Sequence, residues 1–219
     1  MEQRAQSQPK SATTRKRKVP DYLVKDLIDG VPYYYPGYKQ VLSKKKTREE
    51  IMGWSGLQGF IVQYFTFYIL NQLNLKKYLI YPGETGNHLG YRNNLSLDIA
   101  IFERIILTPD KVTVKYLDVP AYCVIEIDVQ AEWDESTPMS EIEFIGLKTQ
   151  KLFDFGTQKL IWILSKSKKV IVAENGKHWE IIDWNEDIEL MDGIHFNVGQ
   201  YLASEGVNTE NDENRPSNT

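Results

Sequence analysis

Two short apolar stretches carry acidic residues among β-branched and aromatic neighbours: Leu-Ser-Leu-Asp-Ile-Ala-Ile-Phe at residues 95–102 and Ala-Tyr-Cys-Val-Ile-Glu-Ile-Asp-Val at residues 121–129. Runs of this length and composition are typical of buried strands. A carboxylate inside a buried strand is costly to desolvate unless a partner offsets its charge. A divalent cation held between two such carboxylates is one solution, and it indicates hydrolytic or phosphoryl-transfer chemistry.

Side chains alternate between the two faces of a strand, so the acids can be assigned to faces. In the second stretch Glu126 and Asp128 share a face, and in the first stretch Asp98 lies at the centre. If the two strands are neighbours, Asp98 and Glu126 can bind one Mg²⁺ or Mn²⁺ ion. The backbone carbonyl of Ile127 and water would supply further oxygen ligands, and Asp128 is an additional candidate ligand.

A helix predicted from Pro138 to Phe155 carries two lysines on one face, Lys148 and Lys151. A lysine directed at the metal would orient the attacking water or stabilise negative charge that develops on a phosphate. The residue types alone also allow a structural interpretation, since helix lysines usually face solvent and strand acids often lie at turns.

The remaining pattern predicts helix, strands, helix and strands in that order, which is typical of an α/β or α+β fold with a central mixed sheet flanked by helices. A capping box formed by Thr47 and Glu50 predicts the start of a helical segment that continues to Leu73. Gly53, Gly56 and Gly59 interrupt its start, and we interpret them as a break between two short helices or as a close-packing face. A further strand is predicted at residues 111–117.

Charge is distributed unevenly along the 219 residues. The net charge is −4, but residues 1–20 hold six basic residues and only one acid, Glu2. We interpret residues 1–20 as a disordered basic leader, residues 21–203 as one folded domain and residues 204–219 as a disordered acidic and polar tail. The acidic domain lacks the broad basic surface that tight non-specific binding to duplex DNA requires, although a local basic groove remains compatible with it.

The sequence shows no possible disulfide pair, no signal peptide and no membrane-spanning segment, and these features indicate its cellular context. Cys123 is the single cysteine, so an intramolecular disulfide is impossible. No signal peptide or segment of the ~20 apolar residues needed to span a membrane is visible. These features predict a soluble cytoplasmic protein with no membrane partner. His88, His178 and His195 are scattered without metal-ligand spacing.

A family resemblance strengthens the metal-site hypothesis. The segments 97–101 (Leu-Asp-Ile-Ala-Ile), 124–127 (Val-Ile-Glu-Ile) and 26–33 (Asp-Leu-Ile-Asp-Gly-Val-Pro-Tyr), and the stretch from Lys148 through Gly156 to Trp162, are similar to a bacterial family of domains assigned as restriction endonucleases, the Uma type. That family belongs to the PD-(D/E)xK nuclease superfamily. The resemblance covers roughly residues 21–200 and implies a restriction-endonuclease-like core.

The resemblance implies Mg²⁺- or Mn²⁺-dependent cleavage of DNA. Asp98 stands at the position of the family's first metal-binding acid, and Glu126 at the position of the second. Asp98 follows Leu97, whereas the family usually has proline at that position. Asp128 occupies the position that holds lysine in the wider superfamily, so Lys148 is the candidate catalytic lysine, with Lys151 as the alternative. Cutting both strands of DNA needs two sites, which favours a homodimer.

Two other interpretations stay open at this point. The domain could be a catalytically inactive version of the nuclease fold that serves as a binding or assembly module. Alternatively, an unrelated α+β interaction domain could hold two buried acids by hydrogen bonds alone.

Overall fold

The computed structural model describes residues 19–135 and 137–209. The strands are β1 (Val24–Ile28), β2 (Val31–Tyr34), β3 (Tyr78–Gly90), β4 (Asn93–Glu103), β5 (Cys123–Ile127), β6 (Lys159–Leu164), β7 (Lys169–Glu174), β8 (Glu180–Asp183), β9 (Ile188–Met191) and β10 (Ile194–Phe196). The helices are α1 (Tyr38–Leu42), α2 (Gly56–Gln72), α3 (Glu141–Phe155) and α4 (Val198–Ser204). Nearly all of the predicted leader, and the tail from residue 210 onward, lie outside the described residues.

Strands β1 to β8 form one sheet in the order β2-β1-β4-β5-β6-β7-β8, with β3 paired to β4 off this path. β5 and β6 pair in parallel and α3 connects them, as a parallel pair requires a crossover; the other neighbouring strands in this sheet pair antiparallel. The prediction of an α+β fold with a central mixed sheet flanked by helices is therefore confirmed.

The two faces of the sheet are covered by different helices. On one face Ile61, Phe65 and Ile69 of α2 pack against alternate residues of the central strands, and we call this layer the α2-side core. On the other face Phe144 and Leu152 of α3 pack in a second cluster, the α3-side core. Because both faces are covered, the central strands are mostly apolar, and a charged residue at their centre is buried.

A break at the glycines precedes α2, as one of the two interpretations predicted, but the segment before the break is a turn and not a short helix. The capping-box bonds between Thr47 and Glu50 do form, with Thr47 N donating to Glu50 Oε2 at 2.6 Å. They close only an isolated turn, since the helix begins at Gly56 with Ser55 as N-cap. A single capped turn is a poor helix nucleus, because nucleation is unfavourable. Extending it would also require Gly53 to become ordered, and glycine loses more backbone entropy in a helix than other residues do. The glycines thus separate the turn from the helix.

The predicted strand at residues 111–117 is also wrong. This segment begins with a 3₁₀ turn and continues irregularly until Leu117 forms an isolated bridge with Asn87. Buried Asn87 donates to the carbonyls of Leu117 and Val119, so a side chain holds the end of this loop where a strand ladder was expected. None of the helices in the described ranges is long and apolar enough to cross a membrane.

Candidate active site in a split of the sheet

The central strand β4 changes its partner along one edge. β3 follows β4 along almost its full length on the other edge, while β1 pairs with it at Asn94 and β5 pairs with it from Ile99 onward. Between these positions β1 and β5 diverge, and the backbone of β4 needs other hydrogen-bond partners there. We call this opening the sheet split, and Ser96 and Asp98 lie in it.

Side chains supply the missing partners in the sheet split. Asp26 Oδ1 accepts from Ser96 N at 2.7 Å, and Lys148 Nζ donates to Ser96 O at 2.7 Å. Ile127 N, at the end of β5, donates to Asp98 Oδ2 at 2.8 Å. Charged groups therefore replace a strand ladder at this point, which brings acids from three strands and a lysine from α3 together.

Asp98 and Glu126 lie on the same face of neighbouring strands. Ala100 pairs with Val124 and Ile99 with Ile125, so the antiparallel register continued by one residue places Asp98 opposite Glu126. Ala100 and Val124 belong to the α3-side core, and alternation directs Asp98 and Glu126 to that same side. Both acids are almost completely buried.

Lys148 reaches these acids from α3. It lies one turn from Phe144 and Leu152 on the buried face of the helix and is 1% exposed. Its Nζ atom is 3.1 Å from Glu126 Oε1 and 3.3 Å from Asp26 Oδ2. The adjacent Thr149 accepts a hydrogen bond from Trp162 Nε1 of β6, which fixes the rotation of the helix over the sheet.

The other two candidates from the sequence contact different residues. Lys151 forms a partly exposed ion pair of 2.8 Å with Asp29, so of the two lysines it is Lys148 that contacts the buried acids. Asp128 follows the end of β5 with a left-handed φ of 57°, which interrupts the alternation assumed for it. Its two oxygens accept from Ser165 N and Ser165 Oγ, both at 2.7 Å. Asp128 thus binds the loop after β6.

Three residues of the site were missed by the sequence reasoning. Asp26 belongs to a segment quoted only for its family resemblance, and its neighbour Lys25 was not considered; Lys25 Nζ lies 3.9 Å from Asp98 Oδ1. Glu84 is the third such residue: it lies 3.5 Å from Lys25 and accepts from the hydroxyl of Tyr35. The acid-rich segment 26–29 was a signal that could have identified Asp26.

Burial and neighbouring charges shift the pKa values of Glu126 and Lys148. Desolvation raises the pKa of Glu126 to about 8; Lys148 acts against this shift, and Asp98 adds to it. Burial alone would lower the pKa of Lys148, but the charges of Asp26, Glu126 and Asp98 outweigh burial and raise it above its usual value. Lys148 therefore stays protonated, and Glu126 holds a proton more readily than an exposed glutamate does.

The oxygen atoms of the cluster are compatible with a hard divalent cation. Asp26 Oδ2, Asp98 Oδ1 and Glu126 Oε1 are buried and lack a hydrogen-bond partner of good geometry. Among the described residues no group of three or more His, Cys, Asp or Glu side chains is arranged to hold a metal ion. Mg²⁺ commonly takes one or two carboxylates and completes its shell with water or carbonyl oxygens, so Asp98 and Glu126 fit such an ion as a pair.

Cys123 does not belong to this site. It is buried in the α2-side core, and desolvation raises the pKa of its thiol to about 12. A thiol of this kind is a poor nucleophile.

Comparisons with known proteins support the fold. No protein-family model matches the chain, and no curated protein matches it significantly. A solved structure that is similar is the crystal structure of a putative nuclease belonging to DUF820 from Anabaena variabilis ATCC 29413, with a TM-score of 0.57 and 13% sequence identity. The match covers 81% of this chain and 89% of the other. The chain therefore has the fold of this nuclease-like protein.

Proposed function

We propose that the chain is a metal-dependent DNA endonuclease with a PD-(D/E)xK-type site. The observation that carries this proposal is the position of Asp98 and Glu126 in the sheet split, where they share a face and each has a buried oxygen whose described neighbour is a lysine ammonium group, without a well-formed hydrogen bond. Two carboxylates beside a buried lysine form the charge arrangement that phosphodiester hydrolysis needs. The similarity to a nuclease-like fold and the resemblance to Uma-type domains support the same assignment.

The proposed roles follow from the contacts. Asp98 and Glu126 would hold Mg²⁺ or Mn²⁺, together with the carbonyl of Ile127. Such an ion lowers the pKa of bound water and stabilises negative charge on the phosphate. Lys148 keeps the Glu126 carboxylate in position and is proposed to orient the attacking water. Asp26 holds Lys148 from the opposite side, since its Oδ2 atom is 3.3 Å from Nζ.

Plasmid nicking in Mg²⁺ or Mn²⁺ tests this function, with wild type compared with Asp98→Asn and Glu126→Gln. These substitutions keep the shape of the side chains and remove their charge, so we expect activity to fall by a factor on the order of 100 or more, since even outer-shell changes cost 10–100-fold. Asp154→Asn is the matched control, because Asp154 is an exposed acid of α3 that accepts from Gln150. Wild-type protein without nicking activity would refute the proposal.

The second candidate is an inactive binding module of the same fold. It is favoured by the contacts of Lys148, whose Nζ atom already lies within 3.3 Å of an oxygen of Ser96, of Asp26 and of Glu126. A closed network of this kind can be purely structural. Protein that neither nicks DNA nor binds Mn²⁺ would support this alternative.

A homodimer is part of the proposal, because cleavage of both strands requires two sites. Sedimentation equilibrium of the purified chain tests this assumption directly. A monomer that nicks one strand at a time would support the proposed active site and contradict the proposed dimer.

A further inference from the structure

Lys25 occupies an irregular position in β1. Val24 pairs with Tyr34 and Asp26 with Tyr33, so Lys25 is the extra residue of a β-bulge. Regular alternation would direct Lys25 and Asp26 to opposite faces, and a bulge changes the direction of a side chain. As a result both neighbours reach the sheet split, Asp26 through Ser96 N and Lys25 toward Asp98.

The ammonium group of Lys25 is held more loosely than that of Lys148. Its carboxylate neighbours, Glu84 Oε1 and Asp98 Oδ1, lie at 3.5 and 3.9 Å. Charge-assisted hydrogen bonds measure about 2.7–2.9 Å, so these are long contacts. Lys148 Nζ instead donates to Ser96 O at 2.7 Å and faces two further acceptors. Of the two lysines at the site, Lys25 can accept a new anionic partner at lower cost.

Lys25 borders a surface cleft of about 580 Å³. Its side chain is only 3% exposed, and its neighbour Glu84, which does not line the cleft, is 24% exposed. Arg92 and Asp21 are the other charged residues that line this cleft, and Tyr34 and Tyr116 contribute aromatic rings. Tyr116 is 59% exposed, so one face of its ring is available to a ligand. Two cations and an exposed aromatic ring suit a phosphodiester backbone and the base or sugar attached to it.

We propose that Lys25 is the phosphate-binding residue of the site, and that a nucleic-acid backbone in the neighbouring cleft reaches its ammonium group by displacing the partly exposed Glu84. The ammonium group exchanges Glu84 for a non-bridging phosphate oxygen and remains beside Asp98, so that the bound phosphate lies next to the proposed metal ligand. Arg92 contacts a neighbouring phosphate at the outer part of the cleft. This inference rests on the proposed nuclease function and adds a residue that the sequence reasoning did not identify.

Binding of a fluorescein-labelled oligonucleotide, measured by anisotropy in Ca²⁺ at several salt concentrations, tests the role of Lys25. A phosphate contact contributes about one unit to the slope of log K against log salt, whereas a purely structural residue does not. We expect Lys25→Met to lower the affinity about tenfold and to reduce the slope by about one. Lys25→Arg should keep the slope. Lys169→Met is the control, since Lys169 pairs with Asp183 at a distant edge strand.

Glu84→Gln provides an independent test that does not require Lys25 to be replaced. Removal of the competing carboxylate should raise the affinity for DNA, and an unchanged or lower affinity would contradict the exchange. Nicking assays on the same variants separate the two proposals. Wild-type cleavage together with an unchanged salt slope in Lys25→Met overturns the role of Lys25 alone. Wild type that neither binds nor cuts DNA overturns both.

Discussion

Lys148 and Glu126 form an ion pair with 3.1 Å between Nζ and Oε1, at a point of the sheet where both side chains are at most 3% exposed. Two charges in such a position depend on each other, because each would be costly to bury alone. Asp26 and Asp98 lie in the same cluster, so one lysine from α3 compensates acids from three strands.

Removal of this lysine should strongly destabilise the protein. Lys148→Met removes the cation closest to the buried carboxylates of Asp26 and Glu126, and we expect a loss of roughly 3–5 kcal/mol in the free energy of unfolding, the range for breaking a buried pair. Lys151→Met removes only the partly exposed pair with Asp29 and should cost less than about 1 kcal/mol. Urea denaturation measures both values. Equal effects of the two substitutions would contradict the described burial of Lys148.

Stability in metal-free buffer should depend on pH through Glu126. Its pKa is raised from 4.5 to about 8, chiefly by burial, so the folded state binds this proton more tightly than the unfolded state. Protonation of Glu126 therefore adds to the free energy of unfolding. This contribution is fully present below about pH 4.5 and is lost as the pH rises to 8. Urea midpoints between pH 5 and 9 should fall in wild type and fall less in Glu126→Gln. Parallel curves for the two proteins would argue against this titration.

A divalent cation should counteract this loss. Mn²⁺ competes with the proton for Glu126, so its stabilising effect should be larger at pH 8 than at pH 6. The difference between the melting temperatures measured with Mn²⁺ and with EDTA gives the size of the effect. In Asp98→Asn this difference should disappear. Asp154→Asn should respond like wild type. If Mn²⁺ still stabilises Asp98→Asn as much as wild type, the ion binds at a different site.

Asp128 should act through Ser165 and not through a metal. Its left-handed backbone and its two bonds to Ser165 define a turn. Asn adopts this conformation readily, so Asp128→Asn should retain nicking activity. Asp128→Ala loses both bonds and should cost about 1–3 kcal/mol in urea denaturation. Loss of activity in a well-folded Asp128→Asn protein would reinstate Asp128 as a metal ligand.

The fold and the outline of the site could be predicted because they depend on local patterns. The apolar strands around Asp98 and Glu126 and the helix that carries Lys148 have clear periodicity, which fixes faces and sheet membership. Helical spacing alone does not distinguish Lys148 from Lys151, since both share one face and the packing of α3 decides which one is buried. The family resemblance ranked Lys148 first.

The contribution of β1 could not be predicted for a different reason. The bulge at Lys25 depends on how β1 pairs with β2, and the sheet split depends on where β1 and β5 leave β4. These are properties of pairing between distant segments, and no short stretch of sequence encodes them.

The most direct test of the site is a crystal structure grown with Mn²⁺, in which anomalous scattering locates the ion. We expect one anomalous peak within coordination distance of both Asp98 Oδ1 and Glu126 Oε1, two buried carboxylate oxygens that lack a well-formed hydrogen bond. An ion bound elsewhere, or none bound while Lys148 and Glu126 keep their contact, would contradict the proposed metal centre.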